Sequence, residues 1–285
     1  MQGTVDGFSY GLVTPLVAYL MACLGGALGL RCTTRALLVA QSWRPGWLAL
    51  GAAAIGSGIW TMHFVAMIGF TVGGAPIHYD RPMTYASLGL AIVMVGIGIF
   101  IVGYKGATGS ALFTGGTITG LGVASMHYLG MAGMRLNGWF AYNTLTVAAS
   151  VVIAVVAATA ALWAAGQVRG FLWSVGASLA MGLAVTGMHY TGMAALSVHV
   201  HDTGSTATGE SPAALLAPML IGPLGFLLLA GVVVMFDPLV VVGRSAWTPV
   251  EHKAGIPACE LVPHRARRPA VRARRDPERR PARTP

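Results

Sequence analysis

Seven long uncharged stretches dominate the chain, near residues 11–30, 47–70, 83–104, 111–134, 143–166, 171–196 and 213–236, and every charge lies outside them. Each can cross a hydrocarbon layer about 30 Å thick, which takes roughly 20 helical residues. Lipid offers no partner to exposed backbone N–H and C=O groups, and the alternation of a membrane β-barrel is absent, so the stretches are predicted to be helices. The expected fold class is an all-α membrane protein with seven transmembrane helices.

Composition supports this reading: charged residues are 9% and hydrophobic ones 55% of the 285 residues, against about 25% charged in a soluble domain. The net charge of +9 is local, because eleven of the 18 Lys and Arg follow residue 243, in runs such as Arg265-Ala266-Arg267-Arg268. The membrane domain is therefore placed at 8–240. Residues 241–285 are expected to form a basic, disordered cytoplasmic tail, attracted to anionic membrane lipid rather than to nucleic acid. Cys23, Cys32 and Cys259 have no paired spacing, so neither a disulfide framework nor a Cys-based zinc site is indicated.

Charge also gives a sidedness. The odd-numbered links carry Arg31, Arg35, Arg44, Lys105 and Arg169, whereas the even-numbered ones carry Arg81 and Arg135. The positive-inside rule then puts the N-terminus outside and the C-terminus in the cytoplasm of a multi-pass inner (plasma) membrane protein.

One pattern recurs in three of the stretches: Met62-His63-Phe64-Val65-Ala66-Met67, Met126-His127-Tyr128-Leu129-Gly130-Met131 and Met188-His189-Tyr190-Thr191-Gly192-Met193. With 14 Met and 8 His in the chain, random placement gives roughly 0.02 copies of Met-His-x-x-x-Met, so three copies mean an internal repeat. Gly56, Gly120 and Gly182 align ahead of them. The predicted architecture is three helix-pair repeats plus a seventh helix, with the three histidines at one depth, roughly 10 Å below the outer helix ends. Ala66, Gly130 and Gly192 are expected to let helices approach closely.

In each copy the His and the second Met, four residues apart, project from one helical face. Imidazole and thioether together form a soft, uncharged donor set that selects copper, Cu(I) above all, over zinc, magnesium or calcium. The candidate metal ligands are His63, Met67, His127, Met131, His189 and Met193, with Met62, Met126 and Met188 as further candidates. Haem is the main competitor, but it takes two axial ligands and fits a threefold repeat less well. An apolar shell would favour the cuprous state (Cu(I) over Cu(II)) and leave room for dioxygen, carbon monoxide or nitric oxide. Tyr128, Tyr190 and Phe64 read as packing aromatics, with a tyrosine hydroxyl available to orient a histidine. Trp60 reads as an interfacial belt residue, and His78, His199 and His201 as solvated link residues that could help capture metal.

These residues resemble the MHYT domain family, bacterial membrane modules with seven predicted spans and a Met-His-Tyr-Thr signature in three of them. The likeness covers about residues 8–240, although only the third copy spells the signature in full. The resemblance implies a sensor that binds copper through the motif Met and His residues and detects a diatomic gas. It also implies a cytoplasmic output, and the roughly 49 residues after the last stretch are too few for an output domain, so a separate cytoplasmic signalling protein is expected. Copper transport or delivery, and a copper-dependent membrane oxidoreductase, are the alternatives. No paired carboxylates, activated nucleophile or phosphate loop appears, so catalysis would have to come from the metal alone.

Overall fold

In the computed structural model, residues 5–6, 9–73, 76–167, 171–200 and 212–236 are described. Among them are seven long helices: α1 (Val13–Leu38), α2 (Arg44–Ile68), α3 (Arg81–Lys105), α4 (Gly109–Ala132), α5 (Thr144–Gly166), α6 (Phe171–Ala194) and α7 (Pro212–Met235). Local chemistry sets several of their ends. Asp80 caps α3 by accepting from Met83 N–H at 3.0 Å, with Pro82 in the first turn, and Asn143 caps α5 by accepting from Thr146 N–H at 3.1 Å. Gly106, at φ +74°, ends α3 in a conformation only glycine adopts freely.

Five of these helices, α1, α2, α3, α5 and α7, are long and apolar enough to cross a membrane. The other two, α4 and α6, are motif helices; Gly, Ser, Thr and His dilute the composition of α4, whereas α6 is on average as apolar as the motif helix α2. Helix α1 runs eight residues beyond the expected end at residue 30, so Arg31 and Arg35 lie inside it rather than in a link. A long Arg side chain can leave the apolar zone while its backbone stays helical, and a cation suits a helix C-terminus. Arg35 lies 5.7 Å over the Trp47 ring of α2, and Arg44 Nε donates to Ala36 O at 3.2 Å, so the two helix ends are stitched together.

Short strands, absent from the all-α expectation, close the motif end. They are β1 (Val5–Asp6), β2 (Thr71–Val72), β3 (His78–Tyr79), β4 (Met134–Arg135), β5 (Gly138–Tyr142) and β6 (Leu196–Val200). The antiparallel pairs are β1 with β2, β3 with β4, and β5 with β6. Each pair joins the segment before an odd helix to the segment after the next even one. Each repeat is thus a helical hairpin closed by a two-stranded ribbon. Ribbon pairing satisfies backbone groups that would otherwise emerge unpaired at the helix ends, which hydropathy alone does not anticipate.

Helices α1 to α6 form a ring in chain order that closes by packing α6 on α1, while α7 lies outside against α2 and α1. The aligned glycines make the joints between repeats. A Cβ on Gly56 would stand 2.9 Å from the backbone of Ile92 in α3; one on Gly120 would collide with the Val155 backbone of α5, and one on Gly182 with Cys23 Sγ of α1. Each motif helix therefore uses the same position to touch the next repeat. Trp60 corrects the belt expectation: it is fully buried, and its Nε1–H lies 3.1 Å from Thr84 O and 3.0 Å from Ser87 Oγ of α3. The basic tail, Cys259, Arg169 and His201 lie outside the described residues.

Gly120→Ala is expected to lower the thermal unfolding midpoint of the detergent-solubilised chain, through an overpacking cost of about 1–3 kcal/mol. Gly187→Ala meets nothing within 4 Å on α6 and should be neutral or gain up to about 1 kcal/mol. Equal midpoints for the two variants would contradict the tight α4–α5 crossing.

Candidate metal centre

The three motifs end at a common level because each helix stops at the same offset. His63, His127 and His189 lie five residues before the ends of α2, α4 and α6 at Ile68, Ala132 and Ala194, about 7.5 Å along the axis at 1.5 Å per residue. Since the even helices occupy alternate places in the ring, their imidazoles converge where the three repeats meet. Nδ1 of His63 lies 3.0 Å from Nδ1 of His189 and 3.2 Å from Nδ1 of His127, and the His189–His127 distance is 3.3 Å. The rings stand nearly at right angles to one another, with interplanar angles of 78°, 84° and 90°. All three are buried.

Hydrogen bonding alone does not satisfy this triangle. An imidazole nitrogen has one in-plane position, filled either by a proton or by a lone pair. One Nδ1–H can serve one neighbouring lone pair, and the third nitrogen is left facing the others. A shared cation would satisfy all three lone pairs together. The in-plane point equidistant from nitrogens spaced 3.0, 3.2 and 3.3 Å lies about 1.8 Å from each, close to a metal–imidazole bond of about 2.0 Å. It is far short of the roughly 2.7 Å that a hydrogen-bonded water needs. The residues present therefore fit a small cation. Among the described residues no carboxylate or thiol joins the group.

Small residues make the convergence sterically feasible. A Cβ on Gly130 would stand 2.8 Å from His63 Nε2, and one on Gly192 would stand 2.5 Å from His127 Nε2. The glycine three places after one histidine thus makes room for the imidazole of the preceding repeat. The repeated small residue was visible in the sequence, but its neighbour was not: it receives a ring rather than a helix backbone. Nε2 of His63 and of His127 are both buried without a hydrogen-bond partner.

The motif methionines lie in the same core. Met62, Met67, Met126, Met131 and Met188 are fully buried, and Met193 is partly buried against them. Each histidine also has the next residue edge-on: Phe64 at 4.6 Å, Tyr128 at 4.8 Å and Tyr190 at 5.0 Å between ring centroids. Tyr128 does not orient a histidine; its hydroxyl is 2.6 Å from Ser150 Oγ on α5. His78 and His199 lie on strands, His78 opposite Arg135 and His199 stacked 4.9 Å over Trp139, so neither joins the triad. Beyond the helix ends, burial followed by the influence of Tyr128 pushes the Tyr142 phenol up to about 12, and burial raises Tyr79 as well. Both are neutral at physiological pH, so neither adds a negative charge beside the cluster.

Known proteins carry the same repeat. Residues 56–115 and 120–177 match the MHYT family, described as a bacterial signalling protein N terminal repeat. Those segments open at Gly56 and Gly120, the residues that form the joints between repeats. The chain is 38% identical over 192 residues to the bifunctional diguanylate cyclase/cyclic di-GMP phosphodiesterase MucR of Pseudomonas aeruginosa, covering 66% of this chain and 28% of that protein. It is 35% identical over 215 residues to the cyclic di-GMP phosphodiesterase NbdA of the same organism, covering 70% and 27%. To the signaling protein YkoW of Bacillus subtilis it is 27% identical over 204 residues, covering 67% and 24%. The chain thus spans about a quarter of the length of these relatives. No solved structure matches it. With three Met-His motifs in helix-pair repeats and these matches, residues 56–177 of the chain carry the repeat of the MHYT family.

Proposed function

We propose that this chain is the membrane-embedded sensory module of a bacterial signalling system, and that His63, His127 and His189 hold a copper ion. The observation that carries the reading is the triangle of imidazole nitrogens 3.0–3.3 Å apart, each from a different repeat and all buried. A set of neutral ligands leaves the charge of the ion uncompensated. In a low-dielectric interior that cost rises steeply with charge, so a monocation is favoured over a dication. Imidazole with thioether is the donor chemistry of Cu(I), and Met67, Met131, Met193, Met62, Met126 and Met188, which share the core with the triad, are the candidate sulfur donors. Rings this close leave no space for a porphyrin between them, which argues against haem. When bound, cuprous ion would supply an open position for a small π-acceptor such as dioxygen, carbon monoxide or nitric oxide. The chain's own part is to exclude water and fix the imidazoles.

All seven helices are taken to cross the membrane, because α4 and α6 are ring members between apolar neighbours. The end opposite the triad carries Arg31, Arg35, Arg44 and Lys105, while the triad end carries Arg81 and Arg135, with Asp80 3.6 Å from Arg135. That asymmetry supports N-terminus outside, C-terminus cytoplasmic and a triad near the outer face. Helix α7 packs directly on motif helix α2, which makes it the natural conveyor of a shift at His63 to a cytoplasmic partner. The relatives' cyclic di-GMP enzymes suggest the kind of output.

Metal analysis of protein purified from its membrane without added metal is expected to find copper, and the triple variant His63→Ala, His127→Ala, His189→Ala to retain none. Copper at the parent stoichiometry in that variant would reject the site. Gly192→Ala, which drives a methyl against His127, should weaken copper binding about 10- to 100-fold, the usual cost of disturbing a ligand's support. A competition titration with a cuprous chelator measures this, and unchanged affinity would show that His127 is not held by that contact.

A further inference from the structure

Directly beneath the triad the ring encloses an apolar chamber of about 40 Å³ that every one of its six helices lines. The repeat builds it. Ile59, Val123 and Val185 stand four residues before the three histidines, Ile55, Thr119 and Met181 eight before, and all six line the chamber. At its upper end is Met188, next in the chain to His189. A space of this size exceeds the roughly 10–15 Å³ one water requires, but a buried water also needs two to four polar partners. The lining offers two hydroxyls, Thr33, which already donates to Gly29 O at 2.9 Å, and Thr119, whose buried Oγ1 has no partner, so one open hydroxyl falls short of what a water needs. Such a chamber stays dry and suits a small apolar guest.

A second space opens beside it. Between α5 and α6 a cleft of about 390 Å³ is walled mostly by alanine, and it reaches the outer surface of the bundle at Ala160, Gly176 and Ala180. Ala157, Ala161 and Met181 border both spaces. Met181 is an unbranched, rotatable thioether whose methyl occupies the room left by Gly26 on α1.

We propose that the α5–α6 cleft is a lateral door, with Met181 as its leaf, through which a small uncharged apolar molecule of diatomic size passes from the hydrocarbon layer into the chamber under the histidines. Apolar gases partition into hydrocarbon rather than water, so a door in the membrane plane takes them from where they concentrate. Assigning the guest as the signal rests on the sensor reading above; the door and chamber do not.

Xenon is the probe, because it needs no metal. Metal-free full-length protein in detergent is examined by ¹²⁹Xe exchange NMR. The parent should show a slowly exchanging bound-xenon resonance, present also in the triple histidine variant. Ala158→Leu, which fills the chamber alone, should remove it. Ala180→Trp, which fills the cleft alone, should keep the bound signal but slow its exchange several-fold, and Met181→Ala should speed it. No bound xenon in the parent overturns the chamber, and exchange rates unaffected by Ala180→Trp and Met181→Ala overturn the door. Copper retention by the triple histidine variant would instead overturn the sensor reading and leave these results standing.

Discussion

Everything in this fold depends on bringing three imidazoles together inside an apolar bundle. A buried neutral imidazole is a mild burden alone, yet three facing nitrogens cannot all be satisfied by one another. The protein tolerates this only because the surrounding packing is firm. Phe64, Tyr128 and Tyr190 stand edge-on to the rings, glycines receive their far edges, and the buried motif methionines fill the remaining space. Unsatisfied buried polar groups of this kind call for an explanation, and the proposed ion supplies one.

That demand shapes the helices that carry it. Motif helices must come close, which needs glycine and other small residues, and must present histidine, which lowers their affinity for lipid. Helix α4, rich in Gly, Ser and Thr, is accordingly the least apolar of the motif helices, while α3, α5 and α7 are strongly apolar. Burial differs from helix to helix: α5 is largely exposed, α1 is half buried and most of α2 is buried, and each even helix turns its histidine inward.

Much of this was legible in the residues. The motif spacing gives the shared level of His63, His127 and His189, and the repeat offset gives the equivalence of Gly56, Gly120 and Gly182. Other features were hidden because they depend on which neighbour a face meets. Trp60 looks like an interfacial ring until α3 provides Thr84 and Ser87 as partners. Gly130 and Gly192 look like helix-contact residues until the ring order puts a histidine of the preceding repeat against each. Two of the end ribbons were invisible, since strands as short as Thr71–Val72 leave no periodic trace, whereas the third pairs five residues of β5 with five of β6.

The way the ring closes has a mechanical consequence. Five of its six helix joints are backed by a chain connection, but α6 meets α1 with none, relying on contacts such as Gly182 against Cys23. The ring is therefore a clasped hoop rather than a continuous one. An ion shared by the three axial nitrogens would act as a drawstring on that clasp. Its occupancy would set how tightly the hoop is cinched, by the same linkage that lets any native-state ligand stiffen its host.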